Sequence, residues 1–143
     1  MLRVSYRSGF TLIELLLVLV ILAVLAAVVV PKFAKRGEQA REAAAKTDIS
    51  NMETALDAYE IDTGRYPTTE EGLAALFEAP SNAKNWKGPY LKKGVPNDPW
   101  GNPYQYTCPG THAQNGFDLF SFGPDGQDGG GDDIDNWTVS TGN

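Results

Sequence analysis

At 143 residues and 15.5 kDa the chain has room for one domain, or for one domain and an appendage. Its 12 basic and 18 acidic residues leave a net charge of -6, which argues against a nucleic-acid binder, since such a protein needs a basic footprint. One cysteine excludes an intramolecular disulfide and a Cys-rich zinc site, and one histidine excludes a His-rich metal site and leaves little for a hydrolytic triad.

Charge and hydropathy divide the chain sharply. From Phe10 to Val30 only Thr11 and Glu14 are polar. As a helix this run would extend roughly 31 Å, enough to cross the hydrocarbon core of a bilayer. Residues 1–9 form a short polar leader with Arg3 and Arg7, and Pro31, Lys32, Lys35 and Arg36 follow the run. A secretory signal peptide has the same basic-apolar order. Its apolar region is shorter, however, and helical patterning does not continue beyond it. The expectation is a retained membrane helix over residues 10–30. Basic residues at both ends leave its orientation open on charge alone, although the leader is compatible with a cytoplasmic N-terminus and an exported body. Glu14 stands out, because a carboxylate at membrane depth costs about 2.5–3.5 kcal/mol or more unless it is paired. Acidic side chains are too short to reach far toward water, so a partner for Glu14 is expected.

Pro31 lacks an N–H and its ring clashes with the carbonyl of Ala27, so a kink or local melting of the helix is expected there. Helix-forming residues resume and continue over 31–63. Ile49, Met52, Leu56 and Tyr59, with Ala45 and Ala55 beside them, make one apolar stripe on a polar helix, suited to packing on the chain's own body. Residues 31–46 hold five basic and two acidic side chains, and residues 47–62 hold five acidic and none basic. Such segregation suits either a staggered array of helices or a solvated face. Gly64 and Pro67 then end a helix of about 50 residues.

The body, residues 64–143, opens on Thr68-Thr69-Glu70-Glu71, a capping box for a short helix carrying Leu73, Leu76 and Phe77 on one apolar face. Residues 80–103 are rich in Pro, Gly and Asn and read as loops, with Trp86, Tyr90 and Trp100 as core plugs. Tyr104–Thr107 and Phe117–Phe122 alternate as an antiparallel strand pair, and Trp137–Ser140 is a candidate third strand. The fold class is therefore α+β: a long N-terminal helix, a short helix, a short antiparallel sheet and long loops.

Residues 116–143 contain Asp118, Asp125, Asp128, Asp132, Asp133 and Asp135 and no basic residue. Five glycines between 123 and 131 allow tight folding. An oxygen-only, flexible loop would suit Ca2+ better than Mg2+, but counted from Asp125 an EF-hand would want a bidentate Glu where Asn136 stands. Composition leaves a solvated acidic loop and a calcium site equally open. His112 and Cys108 read as a surface residue and a spectator thiol, as neither has an identifiable catalytic partner. With no nucleophile–base pair and no catalytic carboxylate pair at a recognisable motif, a membrane-anchored enzyme or sugar-binding module finds no support, and the chain reads as a non-enzyme.

The segment Arg7-Ser8-Gly9-Phe10-Thr11-Leu12-Ile13-Glu14 resembles the class III signal of type IV pilins and pseudopilins. Three body stretches, Arg65–Leu73, Asp98–Tyr104 and Ser121–Gly126, are similar to the major pseudopilins of type II secretion. Type IV pilins usually close a C-terminal loop with a disulfide, which a single Cys108 cannot do. The resemblance implies a pilin-like fold, cleavage between Gly9 and Phe10 by a prepilin peptidase, and N-methylation of Phe10. It implies assembly through Glu14, paired with the Phe10 amine of a neighbouring copy, and through a helix broken at Pro31. It implies one Ca2+ held by the carboxylates of Asp125, Asp132 and Asp133 and the backbone carbonyls of Phe122 and Gln127, with Asp128 and Asp135 solvated. It further implies an inner-membrane, single-pass chain with a periplasmic body. That body would join a homo-oligomeric helical filament, with minor pseudopilins and an inner-membrane assembly platform as partners, membrane lipid before assembly, and no nucleic acid. The filament would drive export of folded proteins; the alternative is a pilus fibre for adhesion, motility or DNA uptake.

Overall fold

A computed structural model describes residues 9–112 and 116–138, and within the long helix the side chains outside 30–34. Leader residues 1–8, with Arg3 and Arg7, and the end of the candidate strand at Val139 and Ser140 lie outside the described residues.

Helix α1 runs from Leu12 to Thr63, 52 residues. A loose capping box starts it: the Glu14 N–H donates to Thr11 Oγ1 at 3.3 Å, and the Thr11 N–H to Glu14 Oε2 at 3.5 Å. Leu12–Val29 is long and apolar enough to cross a membrane, and its side chains are exposed in the single chain. Helical backbone passes through position 31, so the proline is accommodated within the helix and does not end it. The end comes at Gly64, whose φ of +82° is the left-handed cap conformation and whose N–H bonds the Glu60 carbonyl at 2.7 Å.

The chain divides into two compact units, residues 1–37 and 38–143. In the second, Ala45, Ile49, Met52, Ala55, Leu56 and Tyr59 are all buried, so the periodic stripe is the helix side of a core. Leu73, Ala75, Leu76, Tyr104, Phe117, Leu119 and Ile134 supply the other side.

The Thr68–Glu71 capping box forms, with Glu71 N–H to Thr68 Oγ1 at 3.2 Å and Thr68 N–H to Glu71 Oε2 at 2.8 Å. It closes a turn, however, and the helix that follows is a four-residue 3-10 helix, Leu73–Leu76. Gly72, at φ +59°, takes the chain out of the right-handed helical region between box and helix. Phe77 is 40% exposed and so leaves the expected apolar face. The aromatic plugs pack against the core and tie their polar tips to nearby acceptors. Trp86 Nε1 donates to the Ala75 carbonyl at 2.9 Å, Tyr90 Oη to Asp62 Oδ2 at 3.0 Å, and Trp100 Nε1 to Glu38 Oε1 at 2.6 Å.

Strands β1 (Gln105–Thr107), β2 (Asp118–Ser121) and β3 (Ile134–Asp135) form an antiparallel sheet in that order. Tyr106 lies opposite Leu119, and Ser121 opposite Ile134. Among the described residues the third strand is Ile134–Asp135, and Trp137 and Thr138, the described part of the candidate strand, form a bend. Asp135 Oδ1 accepts the N–H groups of Trp137 and Thr138 at 3.1 and 2.5 Å, which turns the chain at those two residues.

Candidate metal centre and its scaffold

The loop between β2 and β3 carries the acidic cluster. It opens with a 3-10 turn, Gly123–Asp125, preceded by Phe122 and closed by Gly126 in the left-handed region. Gly123 is needed on two grounds. Its φ is +67°, and a Cβ there would lie 2.2 Å from the carbonyl oxygen of Asp132. The two ends of the loop thus touch backbone to backbone, which brings Asp132 alongside Asp125.

The three predicted carboxylates are placed differently. Asp125 Oδ1 accepts the Gln127 N–H at 2.9 Å, and Asp132 Oδ2 accepts the Asp125 N–H at 3.3 Å. Their remaining oxygens converge over Gly130, where an added Cβ would meet Asp132 Oδ1 at 2.9 Å and Asp125 Oδ2 at 3.2 Å. Asp133 Oδ2 accepts the Gly129 N–H at 2.9 Å. Its Oδ1 is shut off from solvent without a hydrogen-bond partner, an orphaned acceptor of the kind a cation would satisfy. Among the described residues no three Asp, Glu, His or Cys side chains already stand together as a metal cluster. A cation here would depend on backbone oxygens as well, which the Phe122 and Gln127 carbonyls would have to supply. Such a donor set, hard and all-oxygen, would suit Ca2+. Asp128 is exposed. Asp135 is occupied as a turn-former, with Thr138 Oγ1 donating to its Oδ2 at 2.8 Å, and so is not simply solvated.

Sequence reading missed the scaffold beneath the loop. Asp98 is 4% exposed and accepts from Ser121 Oγ at 2.6 Å, from the Trp100 N–H at 3.1 Å and from the Asn102 N–H at 2.7 Å. Ser121 is fully buried and in turn accepts the Gly123 N–H at 3.0 Å. This chain of bonds fixes the loop's first residue to the Asp98–Asn102 turn. Asn136 braces the far end by bonding the Leu119 N–H and the Phe117 carbonyl with its side chain. Asp118, grouped by composition with the acidic loop, points elsewhere. Burial pushes its carboxyl up, but bonds from Thr111 and His112 outweigh that and hold it well below the usual carboxylate range. His112 is exposed as expected, yet its ring stacks on Trp137 at 4.0 Å while Nδ1 lies 3.0 Å from Asp118 Oδ2. Cys108 is half-buried, with Sγ 3.7 Å from the Gly116 carbonyl.

At the other end of the chain, Gly9 and Phe10 precede the helix as irregular, exposed backbone, a form open to a peptidase. Glu14 and Thr11 cap each other, as above.

A long helix with an apolar leading half, its trailing half sealed onto a small α+β body with a glycine-rich acidic loop, defines a pilin-like subunit. Residues 4–30 match the prokaryotic N-terminal methylation motif, and residues 32–137 match the family model for type II secretion system protein G. The chain is 52% identical over 138 residues to the type II secretion system core protein G of Pseudomonas aeruginosa, covering 92% of this chain and 95% of that one. It is 45% identical to the core protein G of Vibrio cholerae, covering 96% of each. Its fold matches the crystal structure of the major pseudopilin from the type 2 secretion system of enterohaemorrhagic Escherichia coli. That match has a TM-score of 0.64 and 38% identity, over 72% of this chain and 87% of the other. The chain belongs to the type II secretion system protein G family. Its role is that of a structural pseudopilus subunit, and the pilus-fibre alternative is set aside.

Proposed function

We propose that this chain is cut between Gly9 and Phe10, methylated on the Phe10 amine, held by α1 in the inner membrane with its body in the periplasm, and polymerised there into a helical filament. The observation that carries the reading is the leading half of α1. Leu12–Val29 is apolar and exposed in the single chain, so it needs lipid before assembly and other copies of itself afterwards. Burying the span among neighbouring helices replaces lipid contact with protein contact and leaves Glu14 as the one carboxylate at that depth. A neighbour's Phe10 amine would neutralise it at short range. A break at Pro31 would let the two halves of the helix tilt separately as the subunit leaves the bilayer.

In the body, Asp125, Asp132 and Asp133, with the carbonyls of Phe122 and Gln127, would hold one Ca2+. The cation would supply charge neutralisation and nothing catalytic. The chain works as a structural part and not as an enzyme. Its further partners are the prepilin peptidase, the minor pseudopilins and the inner-membrane assembly platform, and energy for filament growth comes from outside this chain.

Two measurements test the proposal. Intact-mass spectrometry of the membrane-extracted protein should give a chain starting at methylated Phe10; a start at Met1 or near Val28 refutes the processing. Deleting the gene should abolish release of secreted enzymes from the cell, and normal release would refute the secretion role.

A further inference from the structure

Three basic residues follow the apolar span at positions 32, 35 and 36. The spacing i, i+3, i+4 puts all three positions on one face of α1. At about 1.5 Å per residue they lie roughly 3, 7.5 and 9 Å beyond position 30, where the apolar run ends. The polar layer on each side of a bilayer core is about 5–8 Å thick. All three are thus at headgroup depth or within the reach of a long, flexible Lys or Arg side chain. Lys35 and Arg36 are exposed and make no ion pair among the described residues. The next basic residue up the helix, Arg41, is different: it lies further out and pairs with Glu38 at 3.6 Å. No acidic residue falls between Glu14 and Glu38. At the edge of the span the chain therefore carries positive charge only.

We infer that Lys32, Lys35 and Arg36 form a collar that binds anionic phospholipid headgroups in the leaflet on the body side of the membrane. The inference rests on the membrane reading of α1 above. Its chemistry is charge-assisted contact between ammonium or guanidinium groups and lipid phosphate, at a depth where the apolar span delivers both together. Attraction to an anionic lipid surface is on the order of fivefold in affinity per Lys or Arg at the surface. The collar holds the unassembled subunit at a fixed depth, and it must let go of lipid when the subunit moves into a filament. Extraction should accordingly be harder from a membrane richer in anionic lipid.

The test uses the full chain. It is first floated with vesicles of pure phosphatidylcholine, and then, in detergent, titrated with phosphatidylglycerol or phosphatidylcholine while bound lipid is counted by native mass spectrometry. The expected result is flotation by wild type and variants alike, with phosphatidylglycerol retained on the order of a hundredfold better than phosphatidylcholine, at roughly fivefold for each of the three charges. The triple variant Lys32→Gln, Lys35→Gln, Arg36→Gln should lose that preference. The charge-conserving Lys32→Arg, Lys35→Arg, Arg36→Lys should keep it, as should Arg3→Gln, Arg7→Gln. A preference that survives in the neutral triple variant, or equal retention of both lipids by wild type, overturns the collar and leaves its charges to neighbouring copies. Failure to float would remove the membrane reading and this inference together, whereas flotation without lipid preference removes only the inference.

Discussion

Glu71 accepts from both guanidinium nitrogens of Arg65, at 2.6 and 2.7 Å, and from the Thr68 N–H at 2.8 Å. The Arg65 bonds are the main reason its carboxyl is lowered from an ordinary 4.5 to about 2. A carboxyl lowered on folding contributes stability that is fully present above the unfolded value and is lost as pH falls through the folded one. Between about pH 4.5 and 2, therefore, protonation of Glu71 should weaken the body. Asp118, also lowered, adds to the same acid limb. Glu71→Gln should cost about 1–3 kcal/mol at neutral pH, by removing a charge-assisted pair and half of a capping box. Urea unfolding from pH 7 to pH 3 should show the wild type losing stability faster than the variant. Parallel curves would mean that the pair contributes nothing to acid sensitivity.

Two elements control the body: the trailing half of α1 and the β2–β3 loop. The helix is held by its stripe, in which Leu56 and Tyr59 are fully buried. Leu56→Ala should destabilise the body by about 2–5 kcal/mol through lost burial and the cavity left behind. Thermal or denaturant unfolding would measure it, and a loss under 1 kcal/mol would mean that the helix is not fixed by this stripe. The loop is held by Asp98, Ser121 and Asn136, yet the free oxygens of Asp125 and Asp132 converge over Gly130 and one acceptor of Asp133 is orphaned. A cation bound only by the folded loop stabilises it by about 2.7 kcal/mol at a hundredfold excess over its Kd. Freed of its span, the body should melt lower in EGTA and recover with Ca2+ far better than with Mg2+. Asp125→Ala, Asp132→Ala and Asp133→Ala should each abolish that response, while Asp128→Ala should leave it. If melting ignores EGTA and all four variants behave alike, the loop is a solvated acidic loop.

For the whole molecule the governing fact is that one helix serves two environments. Its trailing half is satisfied within the chain, while its leading half is exposed and needs other molecules. Thr11 and Glu14 already cap one another, so the unassembled chain gives Glu14 a local partner, though a loose one at 3.5 Å. A neighbour's charged amine would be a stronger one. Glu14→Leu should thus insert into membranes as well as wild type, since the span becomes more apolar, yet fail to form filaments or support secretion. Membrane fractionation beside electron microscopy of filaments separates the two effects. Normal filaments from Glu14→Leu would end the pairing idea.

The long helix, its apolar leading half, its buried stripe and its stop at Gly64 were all legible in the sequence. Each depends on local periodicity or on one residue's backbone preference, and neither needs a distant partner. The Gly9–Phe10 signal and the family likeness were legible for the same reason, as contiguous motifs. Local chemistry also predicted the Thr68–Glu71 box correctly, but not what followed it, because Gly72 redirects the chain and only four residues then fit against the core. The strand Ile134–Asp135 is not legible because two residues have no periodicity to read; its position is decided by Ser121 pairing with Ile134 and by Asp135 turning the chain at Trp137 and Thr138. The acidic cluster looked uniform in sequence, and folding sorted it. Asp118 joins Thr111 and His112, Asp135 makes a turn, Asp128 stays exposed, Asp125 and Asp132 converge over Gly130, and Asp133 turns to the Gly129 N–H with its other oxygen orphaned. Like charges in a row carry no record of which backbone groups they will meet. That is set by the close approach of Gly123 to Asp132, a contact between residues nine apart that exists only once the sheet has formed.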